Sequence, residues 1–245
     1  MHGWTLAIVA GAAPSIFLLT FFYLRDRWQR EPMHRVVMAF ALGTYAMAAA
    51  RGLAFTVLGF LPPDWLSGGT EAARLFESFV LAGYIEESAK AIVLFTAIYH
   101  WDEFDEPLDG VVYGVAVSLG FATLENVLYI AQAQTGVERG LTIVWQRALF
   151  AVPAHALFGG AMGYYAGKTK FDCTNPSALW RDRVCCLLVP LVFHGCYNYA
   201  LHHRLDARVW TIVTLGSLAM WVFVLRRVQR ADRASPFRPP DRPAA

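Results

Sequence analysis

Two adjacent carboxylates and a lysine, Glu86, Glu87 and Lys90, sit in the middle of an apolar run over residues 75–99. A run of that length crosses a bilayer as a helix, and each charge at bilayer depth costs about 2.5–3.5 kcal/mol on insertion scales, so three together require partners. Three other apolar runs each carry one: Glu125, His155 and His194. Two imidazoles and a carboxylate are the ligand set of many catalytic zinc sites, which keep a fourth position open for water. His155, His194 and Glu125 are therefore the candidate metal ligands, with Glu86 or Glu87 as the general base that takes a proton from water. Asn198, one turn after His194, can orient that ring or donate to an oxyanion. Lys90 and Arg51 are the candidate charge-balancing cations. The chemistry implied is hydrolysis of an acyl bond inside the membrane. These residue types fit a metal-free version too, in which a glutamate activates water directly and the histidines polarise the carbonyl. Zinc suits the ligands, but other transition metals bind imidazole and carboxylate as well.

The elements that must position these groups are membrane helices. Of 245 residues 56% are hydrophobic and only 16% are charged, against about 25% in soluble domains. Seven apolar runs are long enough to span: residues 4–24, 36–61, 75–99, 111–133, 148–167, 184–201 and 209–225. The fold expected is an all-α polytopic membrane protein in one membrane-embedded domain, 1–225, followed by a basic, Pro-rich tail, 226–245, that reads as disordered and cytoplasmic. The first run lacks a basic leader and is followed by Arg25-Asp26-Arg27 rather than a small-residue cleavage site, so it is expected to be an uncleaved span.

Lysine and arginine set the orientation. Fourteen lie in the segments between spans one and two, between spans five and six, and in the tail. Five lie on the other side: Arg74, Arg139, Arg147, Arg204 and Arg208. The N-terminus is therefore expected outside and the C-terminus in the cytoplasm. Counted from the outer ends, Glu86, Glu125, His155, His194 and Arg51 then share one slab about 10–17 Å deep.

Helical geometry refines this. Glu86 and Glu87 diverge by about 100°, so one carboxylate faces the site while the other is tied to a cation. Lys90 is within reach of either. On span five Ala151, His155, Gly159 and Gly163 form one stripe of small residues, which places His155 on a packing face rather than towards lipid. Pro190 precedes His194 by one turn and is expected to kink span six. In the acidic loop 101–110, Asp109-Gly110 is expected to cap span four, while the loop itself reads as solvated. Trp4, Trp65, Trp101, Trp145, Trp180 and Trp210 sit near span ends, as in an aromatic belt. Cys173, Cys185, Cys186 and Cys196 have no metal-type or disulfide spacing and read as reduced and structural.

Composition and pattern exclude one class and leave two. No basic block with interleaved aromatics suggests a nucleic-acid partner. Intramembrane carboxylates and histidines also mark ion or proton pathways, so a transporter stays open, although no repeated halves are visible. A non-catalytic Glu/His/Lys network holding the helices together is the structural alternative.

The ordered motifs resemble the PrsW-type intramembrane proteases, relatives of the CAAX prenyl protease and bacteriocin-processing superfamily. Glu86-Glu87-Ser88-Ala89-Lys90 is similar to the family's E-E-x-x-K motif. The stretches 23–32, 106–114 and 120–126, and the histidine motifs beginning at His155 and His194, resemble its other signatures. The resemblance implies a bacterial, multi-pass cell-membrane peptidase that cuts a membrane-anchored protein, an anti-sigma factor in the named member, in regulated proteolysis. It implies nothing about oligomeric state. One departure stands out against the wider superfamily: its F-x-x-x-H motif here runs from Phe121 to Glu125, so a carboxylate replaces an imidazole and His155 is left to supply the ring.

Overall fold

The computed structural model describes residues 2–62, 64–132, 145–171, 175–202 and 206–239, and they form helices and connecting turns with no strand among them. Arg139, Cys173, Arg204, Arg242 and the side chain of Trp4 lie outside the described residues. Seven rods follow one another. They are α1, His2–Tyr23; α2, Met33–Leu58; α3, which is α-helical over Glu71–Leu75, π-helical over Phe76–Glu86 and α-helical again over Glu87–Thr96; α4, Pro107–Gln132; α5, π-helical over Arg147–Ala151 and α-helical over Val152–Phe171; α6, Pro176–Leu201; and α7, Ala207–Arg233. Among the described residues four helices are long and apolar enough to cross a membrane: Met33–Leu58, Pro107–Ile130, Pro176–Leu201 and Ala207–Arg233.

The rods are apolar nearly all round, which is the pattern of helices with no water-facing side. α4 is the axis. Its buried residues, from Leu108 through Val111, Val115 and Leu119, join Leu157, Phe158 and Ala161 of α5 and Val224 and Val228 of α7 in one core cluster. On other faces of α4, Val112, Ala116 and Val117 pack against Val36 and Ala39 of α2 and Leu94 of α3. Glycines set the closest approach. A methyl group at Gly114 would meet the backbone of Gly159 and Gly163, and one at Gly163 would meet the backbone of Gly110. The backbones of α4 and α5 thus touch along the small-residue stripe that ends in His155, as small side chains permit in lipid.

The end of the bundle bearing the basic loops is cross-tied. Arg35 binds Glu103 at 2.8 Å and holds that carboxyl below its ordinary range. Gln29 donates to Asp105 at 2.9 Å. Asp109 accepts the amides of Asp105 and Glu106 at 2.8 and 2.6 Å, the cap expected for this helix. The solvated reading of the loop is corrected in part, because Glu106 and Asp109 are fully buried beneath residues 24–32. The disordered reading of 226–233 is also corrected. α7 continues through Arg233, and Arg27 grips Asp232 with two nitrogens, at 2.9 and 3.2 Å. α6 passes through Pro190 without a break in its helix.

Candidate active site

The four rods α3, α4, α5 and α6 bring their polar side chains to one place, as the shared depth of these residues suggested. Glu87 and Lys90 sit one turn apart at the start of the α-helical part of α3. Both are buried, and Lys90 Nζ lies 2.6 Å from Glu87 Oε1. The same carboxylate oxygen meets Nδ1 of His194 at 2.6 Å. Lys90 also reaches Nδ1 of His155 at 3.0 Å, and the Phe121 ring closes over its ammonium at 4.3 Å. With Lys90 donating, His155 accepts at Nδ1 and donates from Nε2 to Glu125 Oε2, 3.1 Å away. The two imidazoles meet edge to face with centroids 5.1 Å apart, and Phe158 stacks on His194 at 4.9 Å.

Glu86 behaves differently from its neighbour. It ends the π-helical stretch of α3, whose wider turns shift the angular position of every side chain relative to an α-helix. Its Oε2 is buried with no hydrogen-bond partner and faces Nε2 of His194 at 3.9 Å. One ligand atom each from Glu86, His155 and His194 lies within 4.8 Å of the others. With His194 Nδ1–H donating to Glu87, the Nε2 lone pair is free to point at this group, as in carboxylate-supported metal ligands. These three residues could hold a metal ion, His155 by releasing Lys90 or Glu125 from one ring nitrogen. Glu125, the carboxylate expected in the ligand set, is engaged instead by His155 and by Arg147, whose guanidinium lies 2.6 Å away.

Arg147 went unrecognised in the sequence, where it counts as a loop residue one position before the fifth apolar run. It enters the site because the π-helical turn Arg147–Ala151 extends α5. It also bonds Asn126 Oδ1, whose amide nitrogen reaches the Gly11 carbonyl of α1 at 3.3 Å, and it stacks on Tyr129 at 4.2 Å. The only sequence signal for it is the polar pair Glu125-Asn126 inside an apolar run, which demands a donor.

All of this opens on a cavity of about 690 Å³, a volume typical of a binding site. Glu86, Glu125, Arg147, His155, His194 and Asn198 line it, with Arg51 on the α2 wall. Arg51 is exposed and pairs with none of the carboxylates among the described residues, so the cations inside the cluster are Lys90 and Arg147. Glu77 and His202, 3.5 Å apart, also line the cavity and were not singled out by sequence.

The model of the PrsW family of intramembrane metalloproteases matches residues 15–226. The chain is 36% identical over 225 residues to the protease PrsW of Bacillus subtilis (strain 168), covering 91% of this chain and 94% of that one. It is 38% identical over 225 residues to the protease PrsW of Geobacillus kaustophilus (strain HTA426), covering 91% of each. The protease PrsW of Clostridioides difficile (strain 630) is 32% identical over 213 residues, 86% of this chain and 84% of that one. No solved structure matches. The chain belongs to the PrsW family of intramembrane metalloproteases, and the peptidase reading stands over the transporter and structural readings.

Proposed function

We propose that this chain crosses the cell membrane seven times, N-terminus outside and C-terminus in the cytoplasm, and hydrolyses a peptide bond of a membrane-anchored protein in the cavity described above. The observation that carries the reading is the buried, unpartnered Glu86 Oε2 facing a histidine whose other nitrogen is fixed by Glu87. Glu86, His155 and His194 would hold a divalent metal, with zinc the best match to nitrogen and oxygen donors. A metal bound there supplies Lewis acidity to a scissile carbonyl and acidity to a water.

The chain's own residues do the rest. Glu87 keeps His194 in the tautomer that presents Nε2. Lys90 neutralises Glu87 and stays out of the cavity, since both are buried. Glu125 borders the cavity beside His155 and takes the proton from the attacking water, and Arg147 holds the carboxylate in place. Asn198 faces the same cavity from one turn beyond His194 and donates to the oxyanion of the tetrahedral carbonyl carbon. The apolar walls exclude bulk water, which strengthens each of these interactions. The substrate enters as a membrane-anchored chain unwound at the cut site; an anti-sigma-factor-like protein fits that class by family resemblance.

A second reading rests on His155. Both its ring nitrogens are engaged, by Lys90 and by Glu125, so it serves as a ligand only by releasing one of them. In the metal-free version Glu86 activates water directly. Metal analysis of the purified protein, with cleavage measured after chelation and metal return, separates the two. Loss and return of activity with one equivalent of metal supports the first reading. Full activity in metal-free protein refutes it.

A further inference from the structure

At the other end of the bundle lies a second group of acids that the peptidase chemistry does not use. Asp26 comes from the α1–α2 connection, Glu106 from the residue before α4, and Asp109 from the first turn of α4; all three are fully buried. One carboxylate oxygen from each lies within 4.8 Å of the others. The backbone fixes how two of them are turned. The Glu31 amide donates to Asp26 Oδ2 at 3.2 Å, and the Glu106 amide donates to Asp109 Oδ2 at 2.6 Å. The remaining oxygens, Asp26 Oδ1, Asp109 Oδ1 and both oxygens of Glu106, are buried and have no hydrogen-bond partner. Glu31, whose Oε2 accepts from the Tyr113 hydroxyl, stands against Asp109, and Ser235 stands against Glu106.

The charges of Lys170 and Arg30 are felt at the cluster, but neither pairs with its carboxylates. Among the described residues no lysine, arginine or histidine forms an ion pair with Asp26, Glu31, Glu106 or Asp109. Arg30 spends its Nε on the Asp26 backbone carbonyl at 3.1 Å. Burial pushes Asp26 up to about 6, and Glu31 and Glu106 up to about 7. A buried carboxylate requires a cation or a donor, and beyond the Glu31 and Ser235 contacts and the backbone amides the cluster leaves several oxygens with neither.

We propose that Asp26, Glu106 and Asp109 bind a hard divalent cation of the calcium or magnesium type, with Glu31 and Ser235 as further oxygen donors. An all-oxygen, carboxylate-rich donor set selects hard ions over zinc. Oxygens within 4.8 Å of one another can share one ion at the roughly 2.3–2.6 Å of calcium coordination. Such an ion would clamp the α1–α2 connection onto the start of α4, the helix that carries Glu125 at its far end. The site is structural or regulatory and separate from the cavity, so it stands or falls independently of the peptidase reading.

The test uses purified full-length protein in detergent, stripped with chelator and titrated separately with calcium, magnesium and zinc, and read by calorimetry and thermal melting. The expected result is one equivalent of calcium or magnesium that raises the melting temperature. Affinity should fall by about 100-fold or more in Glu106→Gln, since even residues that only support a ligand are worth about 10–100-fold. It should persist in His194→Ala. Asp26→Asn serves as the second variant, because asparagine keeps the oxygen that accepts the Glu31 amide. The proposal is overturned if neither calcium nor magnesium binds, if both variants bind them as the wild type does, or if binding is lost in His194→Ala and kept in the acidic variants.

Discussion

Two clusters of carboxylates lie about 24 Å apart along α4, at 1.5 Å for each of the residues between Asp109 and Glu125, and they are satisfied by opposite means. At the cavity, buried Glu87 has Lys90 and His194 on one oxygen, and Glu125 has Arg147 and His155. At the other end, Asp26, Glu106 and Asp109 have backbone amides, the Glu31 and Ser235 side chains and one another, with no cation paired to them among the described residues. Charge-balanced acids can be held fixed in a low-dielectric site without an ion; among the described residues Glu86 lines the cavity with a buried oxygen unspent, while the other such oxygen here, Glu87 Oε2, belongs to a carboxylate already tied to Lys90 and His194. Unbalanced acids must take an ion or a proton. The proposed chemistry therefore falls to the first cluster and the proposed cation binding to the second.

The largest effect expected from breaking this contrast is at Glu86 and His194. Glu86→Gln and His194→Ala should each lower cleavage by about 10²–10⁴-fold or more, the scale of a lost acid–base or metal function. Melting should confirm that Glu86→Gln stays folded, since its Oε2 gives up no hydrogen bond. Next comes Asn198→Ala. An oxyanion donor is worth about 10²–10³ in turnover, so kcat should fall with KM little changed. Glu87→Gln removes the carboxylate that orients His194, and a loss of about 10–100-fold in activity or metal affinity is expected, partly recovered at high metal concentration.

Stability divides the clusters with opposite signs. Lys90→Met strands Glu87 in the interior and should cost about 3–5 kcal/mol, read by denaturant or thermal melting in detergent. Glu106→Gln removes a buried acid that no cation pairs with and keeps an amide for the Ser235 contact, so in chelator the variant should melt at or above the wild-type temperature. A marked destabilisation of Glu106→Gln in chelator would break the contrast from the other side.

The chemistry at the cavity was legible because charge in an apolar run is so costly that each such residue must be used. Glu86, Glu87, Lys90, Glu125, His155 and His194 stood out one by one, and their common depth grouped them. The glycine stripe of α5 places His155 on a packing face rather than towards lipid, and the partner helix is α4. What stayed hidden depended on backbone details. The division of labour between Glu86 and Glu87 follows from the π-helical stretch Phe76–Glu86, and no periodicity marks where hydrogen bonding slips by one residue. Arg147 was missed for the same reason, since a π-helical turn carries it inward. The burial of Glu106 and Asp109 depends on residues 24–32 folding over them, a long-range contact that local polarity does not announce. The continuation of α7 through Arg233 comes with a long-range pair, Arg27 to Asp232 across the bundle, that local sequence does not mark.

The most direct measurement places wild-type protein and Glu86→Gln in proteoliposomes with a panel of single-span membrane proteins and sequences the new peptide termini by mass spectrometry. The account predicts termini inside or beside a transmembrane segment with the wild type, and none with a variant that melts as the wild type does. Equal cleavage by Glu86→Gln would contradict it.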